Sequence, residues 1–218
     1  SHLTVHSLML VFPSIFLIIR DEFVVGLDTL GFIATICYMM FGLGAIPAGY
    51  FENKLGGRNL LLIYQLGSVI SSIVIVTTNS LTVFVIGLAF LGLSCSIYHP
   101  AGLTLISRRI SNISKGMSIH GVAGSFGLGI GPLIASFFAY FISWRASYGF
   151  FAIMNIILAI ITFLLIPVKQ ISENSKEEEK RIKTSKPGLV LYYSIGILMG
   201  VAFSGFTTFL PLHFSFQT

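Results

Sequence analysis

Long uncharged, apolar runs separated by short charged corners set the layout of this chain. No Asp, Glu, Lys or Arg occurs in 3–19, 29–51, 59–107, 117–143, 146–168 or 187–218. A helix that crosses a bilayer needs about 20 apolar residues at about 1.5 Å rise each. The run 59–107 is too long for one crossing, and the polar cluster Thr77, Thr78, Asn79 and Ser80 divides it. Seven spans are therefore predicted: 3–20, 27–51, 60–77, 81–107, 117–142, 146–167 and 188–211. Closed barrels, the other spanning architecture, need polarity that alternates over about ten residues, and these solid runs do not alternate. The expected fold class is an all-α membrane protein.

Composition supports that solvent. Charged residues make up 10% of the chain and apolar ones 55%, with a mean hydropathy of +0.91. A soluble domain carries about 25% charge, so this chain could not cover itself in water. The placement of the basic residues gives an orientation. With a cytoplasmic amino terminus, Lys54, Arg58, Arg108, Arg109, Lys115, Lys169, Lys176, Lys180, Arg181, Lys183 and Lys186 all fall inside, and only Arg20 and Arg145 fall outside. The formal charge of +5 thus reflects topology, and nucleic-acid binding is not expected. The amino-terminal residues lack the basic region and small-residue cleavage site of a signal peptide. The start at Ser1, together with the stop in or just after a seventh span, predicts a fragment of a twelve-helix protein. Its carboxy-terminal half would be the missing partner.

Connections between spans are short, as between antiparallel neighbours in a bundle. The exception is the mixed-charge stretch 168–187, read as a cytoplasmic linker. It joins a six-helix bundle, 1–167, to a seventh, truncated span within 188–218. Inside the bundle, "FGLGAIP" at 41–47 and "FGLGIGP" at 126–132 agree at five of seven positions. They fall in the second and fifth spans, three apart, so the copies would cross the membrane in opposite directions. That is the arithmetic of an inverted 3+3 repeat, common among secondary transporters.

The corner after the second span, "GYFENKLGGRN" at 49–59, must turn the chain around within about eight residues. Gly56 and Gly57 are expected to permit the reversal through positive φ, with Lys54 and Arg58 holding it at the cytoplasmic face. The spacing of Gly49, Asn53, Gly56 and Arg58 resembles the loop 2–3 motif of the major facilitator superfamily. In that family an Asp and a basic residue help latch the two halves on the cytoplasmic side. Here Asn53 replaces the Asp, and Gly57 the first basic residue. Glu52 is adjacent, but an ideal helix would point it about 100° away.

The stretch 127–136, with Gly127, Gly131 and Pro132, resembles the fifth-helix motif of exporters in the same superfamily. Gly121, Ser125 and Gly129 form one small-residue stripe there, and Gly127, Gly131 and Ala135 a second. Each would admit a close helix neighbour, and Pro132 would add a kink. "SWRASYGFF" from Ser143 also resembles the family. "YHPAG" at 98–102, "SIHGVAGSFGLGIGP" at 118–132 and "SHLTVHSLMLVFP" at 1–13 are most similar to its fosmidomycin-resistance-like branch. One departure stands out. The fourth-helix Arg of the family's drug/proton antiporters would fall near Leu88, and no basic residue is there.

Ionisable groups within the bilayer are costly, so each is a site candidate. The spans contain no deep Asp or Glu, but they do contain histidine. His99 sits about 13 Å from the cytoplasmic end of the fourth span and precedes Pro100, which frees the Ser96 carbonyl. A ring bonded to that carbonyl is the plain alternative to a functional role. His120 enters the fifth span, where helix packing is the alternative. His2 and His6 share one helix face, and His2 lies so near the end of the chain that it is given no role. In the superfamily the first and fourth helices line the central cavity. The resemblance therefore points to His6, Tyr98, His99 and His120 as contacts for substrate or coupling protons, since histidine titrates near neutrality.

No metal set is expected, because no two histidines pair with carboxylates at ligand spacing. No cofactor is expected, because "KLGGRN" lacks the ending of a phosphate-binding loop. Cys37 and Cys95 read as small apolar core residues. Without a nucleophile–base pair, an enzyme is not expected either. The resemblance implies a multi-pass protein of the cell membrane that moves a small organic solute by alternating access, with efflux coupled to protons. An uptake carrier for an organic anion, or a membrane scaffold that kept the fold, are the alternatives.

Overall fold

A computed structural model describes residues 1–167 and 185–215 of the chain. The chain separates into two units, Ser1–Val168 and Lys169–Thr218. The first contains α1 (His2–Ser14), α2 (Phe16–Phe23), α3 (Leu27–Thr77), α4 (Leu81–Ser96), α5 (Tyr98–Arg109), α6 (Ile113–Phe141) and α7 (Trp144–Leu165). The second contains α8 (Lys186–Ser215), which holds the predicted seventh span. Most of the linker, 168–184, lies outside the described residues. Among the described residues there is no strand.

Among the described residues four helices are long and apolar enough to cross a bilayer, five with the bent pair α1 and α2, and the two legs of α3 make six rods. α1 and α2 meet at an angle of 51° and together are long and apolar enough for one span. Pro13 cannot donate to the preceding turn, and Ser14 Oγ donates to the Leu10 carbonyl at 2.6 Å. The turn around Ile15 is where the helix gives way. α4 and α5 likewise form one apolar stretch interrupted at Ile97, three residues before Pro100. By contrast, α6 runs unbroken through Pro132. It is capped by Asn112, whose side chain accepts from the Lys115 N–H at 3.0 Å.

α3 is the instructive element. Its 51 residues would reach about 76 Å as a straight rod, more than twice the roughly 30 Å hydrocarbon core. At Gly56 the backbone leaves the helix for φ 74° and ψ 153°, a left-handed region that favours glycine. The neighbours on either side of Gly56 show that the direction reverses. Before it, Cys37 lies by Gly92, Gly44 by Ser96, and Asn53 by Arg108, so this leg runs parallel to α4 and α5. After it, Gly57 lies by Ala101, Gly67 by Ser94, and Ile75 by Gly87, so this leg runs antiparallel to them. The predicted hairpin corner is present, with one correction. Of the two glycines, Gly56 alone takes positive φ. Gly57 serves differently, giving the Ala101 carbonyl and the Leu105 side chain room against the corner.

α6 runs antiparallel to α5, with Gly116 beside Ile106 and His120 beside Tyr98. The two FGLG copies, in the first leg of α3 and in α6, therefore point in opposite directions, as an inverted repeat requires. α1 lies parallel to α6 because Gly124, Gly127 and Gly131 face His2, Leu3 and Ser7 in turn. In lipid, where no hydrophobic force drives helices together, such close backbone approach supplies the packing. Ser7 Oγ donates to the Gly127 carbonyl at 3.0 Å across this contact. The second predicted stripe does not behave this way. No atom lies within 4 Å of a side chain built at Gly121 or Gly129, so that face of α6 packs on nothing within the unit.

α7 closes the bundle. Its Arg145 donates to Glu22 at 3.0 Å, to the Thr78 carbonyl at 3.0 Å and to Asn79 at 2.8 Å. Above that clamp, Phe12, Phe23, Phe84 and Trp144 stack edge to face or tilted. At the opposite end of the bundle sit Arg58, Arg108 and Arg109. The outer faces of α6 and α7, including Val122, Leu133, Ile153 and Leu164, are 60–70% exposed, a surface suited to lipid or to a further helical body rather than water.

Within the full-length protein, Gly131→Val drives a side chain into the Ser7 backbone and costs about 1–3 kcal/mol. Gly129→Val meets open space and costs less. Thermal unfolding in detergent checks the pair: equal melting temperatures would show that the α1–α6 contact is not tight.

Candidate functional site

The parallel packing of α1 on α6 and the antiparallel packing of α5 on α6 carry the histidines to one place. His2 and His6 lie one turn apart on α1. His99 is the second residue of α5, just past the break at Ile97. His120 lies one turn before Gly124 on α6. The four rings and the phenol of Tyr98 form a single cluster. The centroid of His2 lies 4.7 Å from His6, 5.2 Å from His99, 3.7 Å from His120 and 5.2 Å from Tyr98. His6 and His99 are 5.4 Å apart. The imidazoles are half-buried and Tyr98 is buried, so the cluster faces partly out of the six-helix unit.

Hydrogen bonding fixes part of the proton arrangement. His2 Nδ1 lies 2.6 Å from the His120 carbonyl. A carbonyl only accepts, so His2 Nδ1 carries a proton, and in the neutral ring Nε2 is then the lone pair. His6 Nε2 sits 2.9 Å from that lone pair and is the donor to it. Tyr98 Oη and His120 Nδ1 are 3.4 Å apart, a long contact. Beneath the cluster, Tyr64 packs edge-on against Tyr98 at 5.4 Å and meets the Thr4 hydroxyl at 3.1 Å. Gln65 donates to Thr162 at 3.0 Å. His99 does not cap its own helix break: among the described residues its ring makes no hydrogen bond to the Ser96 carbonyl, and its contacts are with aromatic rings, including Phe41 at 6.0 Å.

The structure thus brings together all four of the residues singled out from the sequence, and adds His2 to them. Gly124 is a further participant. A side chain there would meet the imidazole of His2, so the ring fits only because the position is bare. Its spacing of four from His120 was the available signal.

The corner motif is arranged differently from the expectation. Glu52 is buried and pairs with Arg108 at 3.3 Å, while Asn53 accepts from the same guanidinium at 3.4 Å. The acid of this corner is therefore Glu52, and its partner is the last turn of α5. Arg58 does not meet Asn53. It donates to the Phe163 carbonyl at 2.9 Å and lies over the Phe163 ring, satisfying a carbonyl in the last turn of α7. Arg109 donates to the Pro167 carbonyl, two residues past the end of α7, at 2.9 Å. Gly49 contacts nothing within 4 Å of a built side chain.

The sequence profile of the Major Facilitator Superfamily matches residues 3–218. Among curated relatives, the quinolone resistance protein NorB of Staphylococcus aureus strain JH9 is 27% identical over 175 residues, covering 80% of this chain and 37% of that protein. NorB of the bovine strain RF122/ET3-1 is 26% identical over 179 residues, covering 82% and 38% respectively. This chain therefore spans little more than a third of the length of these relatives. It belongs to the major facilitator superfamily, and it is a multi-pass membrane protein. Neither match reaches down to the branch suggested by the histidine-bearing stretches.

At the corner, Glu52→Ala leaves Arg108 without its carboxylate and is expected to lower stability by about 1–2 kcal/mol. Asn53→Ala, which removes only a long and exposed contact, costs less. Differential scanning fluorimetry of the two variants measures this, and an Asn53→Ala loss as large as the Glu52→Ala loss would restore Asn53 as the main anchor.

Proposed function

We propose that this chain is the amino-terminal part of a secondary active transporter that expels a small organic solute across the cell membrane by alternating access, driven by a proton gradient. The observation that carries the reading is the histidine cluster. Five titratable or hydrogen-bonding rings from three helices meet at a half-buried point of a bundle whose other buried polar groups are mainly hydroxyls and amides. Ionisable groups so placed mark solute or proton pathways, and imidazole changes charge within the range of a cellular proton gradient. The cavity-lining role of the first and fourth helices in the family agrees with the positions of His6, Tyr98 and His99. The partial fifth-helix motif, with Gly127, Gly131 and Pro132, supports export over uptake, as do relatives named for quinolone resistance.

The same reading sets an orientation. Arg58, Arg108 and Arg109 gather at one end with Glu52, and Arg20 and Arg145 sit at the other, each beside an acid. The basic end is assigned to the cytoplasm, which places the amino terminus there as well. Rocking of the six-helix bundle against a second bundle would then expose the cluster alternately to each side.

The test uses the full-length protein in proteoliposomes with an imposed pH gradient and a quinolone as probe, beside an anionic compound as control. Wild type is expected to accumulate the quinolone in the direction opposite to proton flow. His6→Ala and His99→Ala are expected to lose the response to the gradient while passive counterflow of the same compound persists. Inward movement of the anion alone, indifferent to pH, would overturn the reading.

A further inference from the structure

We infer that His2, His6 and His99 form a binding site for a borderline divalent transition-metal ion, such as zinc, cobalt or nickel, with a fourth position left for an anion from solution. The inference concerns the cluster described above, and it takes from the transport reading only that solutes reach it.

Geometry is the first support. Each of these residues offers a ring nitrogen, and the three atoms all lie within 4.8 Å of one another. The ring centroids form a triangle with sides of 4.7, 5.2 and 5.4 Å. Three imidazoles bound tetrahedrally through nitrogens at about 2.0–2.1 Å place their centroids about 5 Å apart. Modest side-chain rotation is enough to close the nitrogens onto a common centre. The pair His2 Nε2 and His6 Nε2, at 2.9 Å, is already near the separation of two neighbouring ligands.

Proton arrangement is the second support. A metal-bound histidine usually donates its other ring N–H to a carbonyl or carboxylate, which fixes the tautomer and aims the free nitrogen. His2 does this with the carbonyl of His120 at 2.6 Å. Its Nε2 lone pair therefore points at the shared space before any ion arrives. On binding, His6 moves its single proton from Nε2 to Nδ1, so its lone pair faces the ion and no net proton is exchanged. Gly124 leaves the room in which the His2 ring is held.

Charge decides the rest. The group contains no carboxylate, and three neutral imidazoles leave the double positive charge of the ion intact. Holding that charge within a membrane protein is costly unless it is paired. A tetrahedral ion with three protein ligands keeps one open position, and an anion there lowers the net charge. Hydroxide, chloride or the carboxylate of an organic solute would each serve. Imidazole selects zinc, cobalt, nickel or copper over magnesium and calcium.

The experiment takes full-length protein, purified without a histidine tag and confirmed as monodisperse, and titrates it with cobalt(II). Wild type is expected to bind one ion per chain with the intense visible absorption of tetrahedral cobalt. Zinc should displace the cobalt, and a large excess of magnesium should not. Acetate or azide should shift the band by entering the fourth position. His2→Gln, His6→Gln and His99→Gln should each weaken binding by about a hundredfold or more, with melting temperatures near that of the wild type. Lack of stoichiometric cobalt or zinc binding by folded wild type would overturn the site. Binding that survives all three substitutions would place the ion elsewhere and overturn it too. A band indifferent to anions would overturn the open position. Because these are equilibrium measurements on the protein itself, they fail or succeed independently of quinolone flux.

Discussion

Everything at the cluster depends on a contact between two stretches of backbone. α1 can lie on α6 only because Gly127 and Gly131 present no side chain to Leu3 and Ser7. That closeness lets the Ser7 hydroxyl reach the Gly127 carbonyl, and one turn earlier it sets the His2 ring against the carbonyl of His120 and the bare face of Gly124. In a solvent without water, a helix gains little from hiding leucine, since lipid is equally apolar. Packing by small residues and a few interhelical hydrogen bonds then determine which helices touch. The site follows from that rule: the glycines that bring the helices together also bring their histidines together.

The sequence made the crossings legible because a bilayer writes a coarse pattern. Charge-free runs of set length cannot be mistaken for surface loops. The reversal at Gly56 was readable for the same reason, since a charged, glycine-bearing corner at 52–58 separates two apolar runs. What could not be read was which side chains meet across helices. Glu52 was set aside because an ideal wheel points it away from Asn53, yet its partner, Arg108, lies at the end of α5 and 56 residues further on. A wheel holds only one helix. His2 was passed over for its place at the end of the chain, and spacing along one helix cannot show that histidines from α1 and α5 meet. The two glycine stripes of α6 looked equivalent, and only the packing of α1 separates the buried one from the open one.

The two ends of the bundle are built for different purposes. At one end Arg145 ties α7 to Glu22 and to the Thr78 and Asn79 turn, over a plug of Phe12, Phe23, Phe84 and Trp144. At the other, guanidinium groups satisfy the Phe163 carbonyl in the last turn of α7, the Pro167 carbonyl just beyond it and the Glu52 carboxylate. Each bond satisfies a polar group that the bilayer would otherwise penalise, so both ends are held by arginine. The cluster lies between them, beside the break at Ile97.

That irregularity has a pattern. The first crossing of each three-helix repeat is broken: α1 from α2 at Ile15, near Pro13, and α4 from α5 at Ile97, near Pro100. The second and third crossings of each repeat are continuous between their ends. Interrupted helices at matching positions of an internal repeat are where transporters place their binding sites, because a broken helix frees backbone groups and can bend without unfolding. In this chain the same two broken crossings supply His2, His6 and His99. A bend at Ile97 would change the distance between the imidazoles on α1 and the one on α5 while leaving each helix intact. The number of ring nitrogens able to share one proton or one ion would change with it.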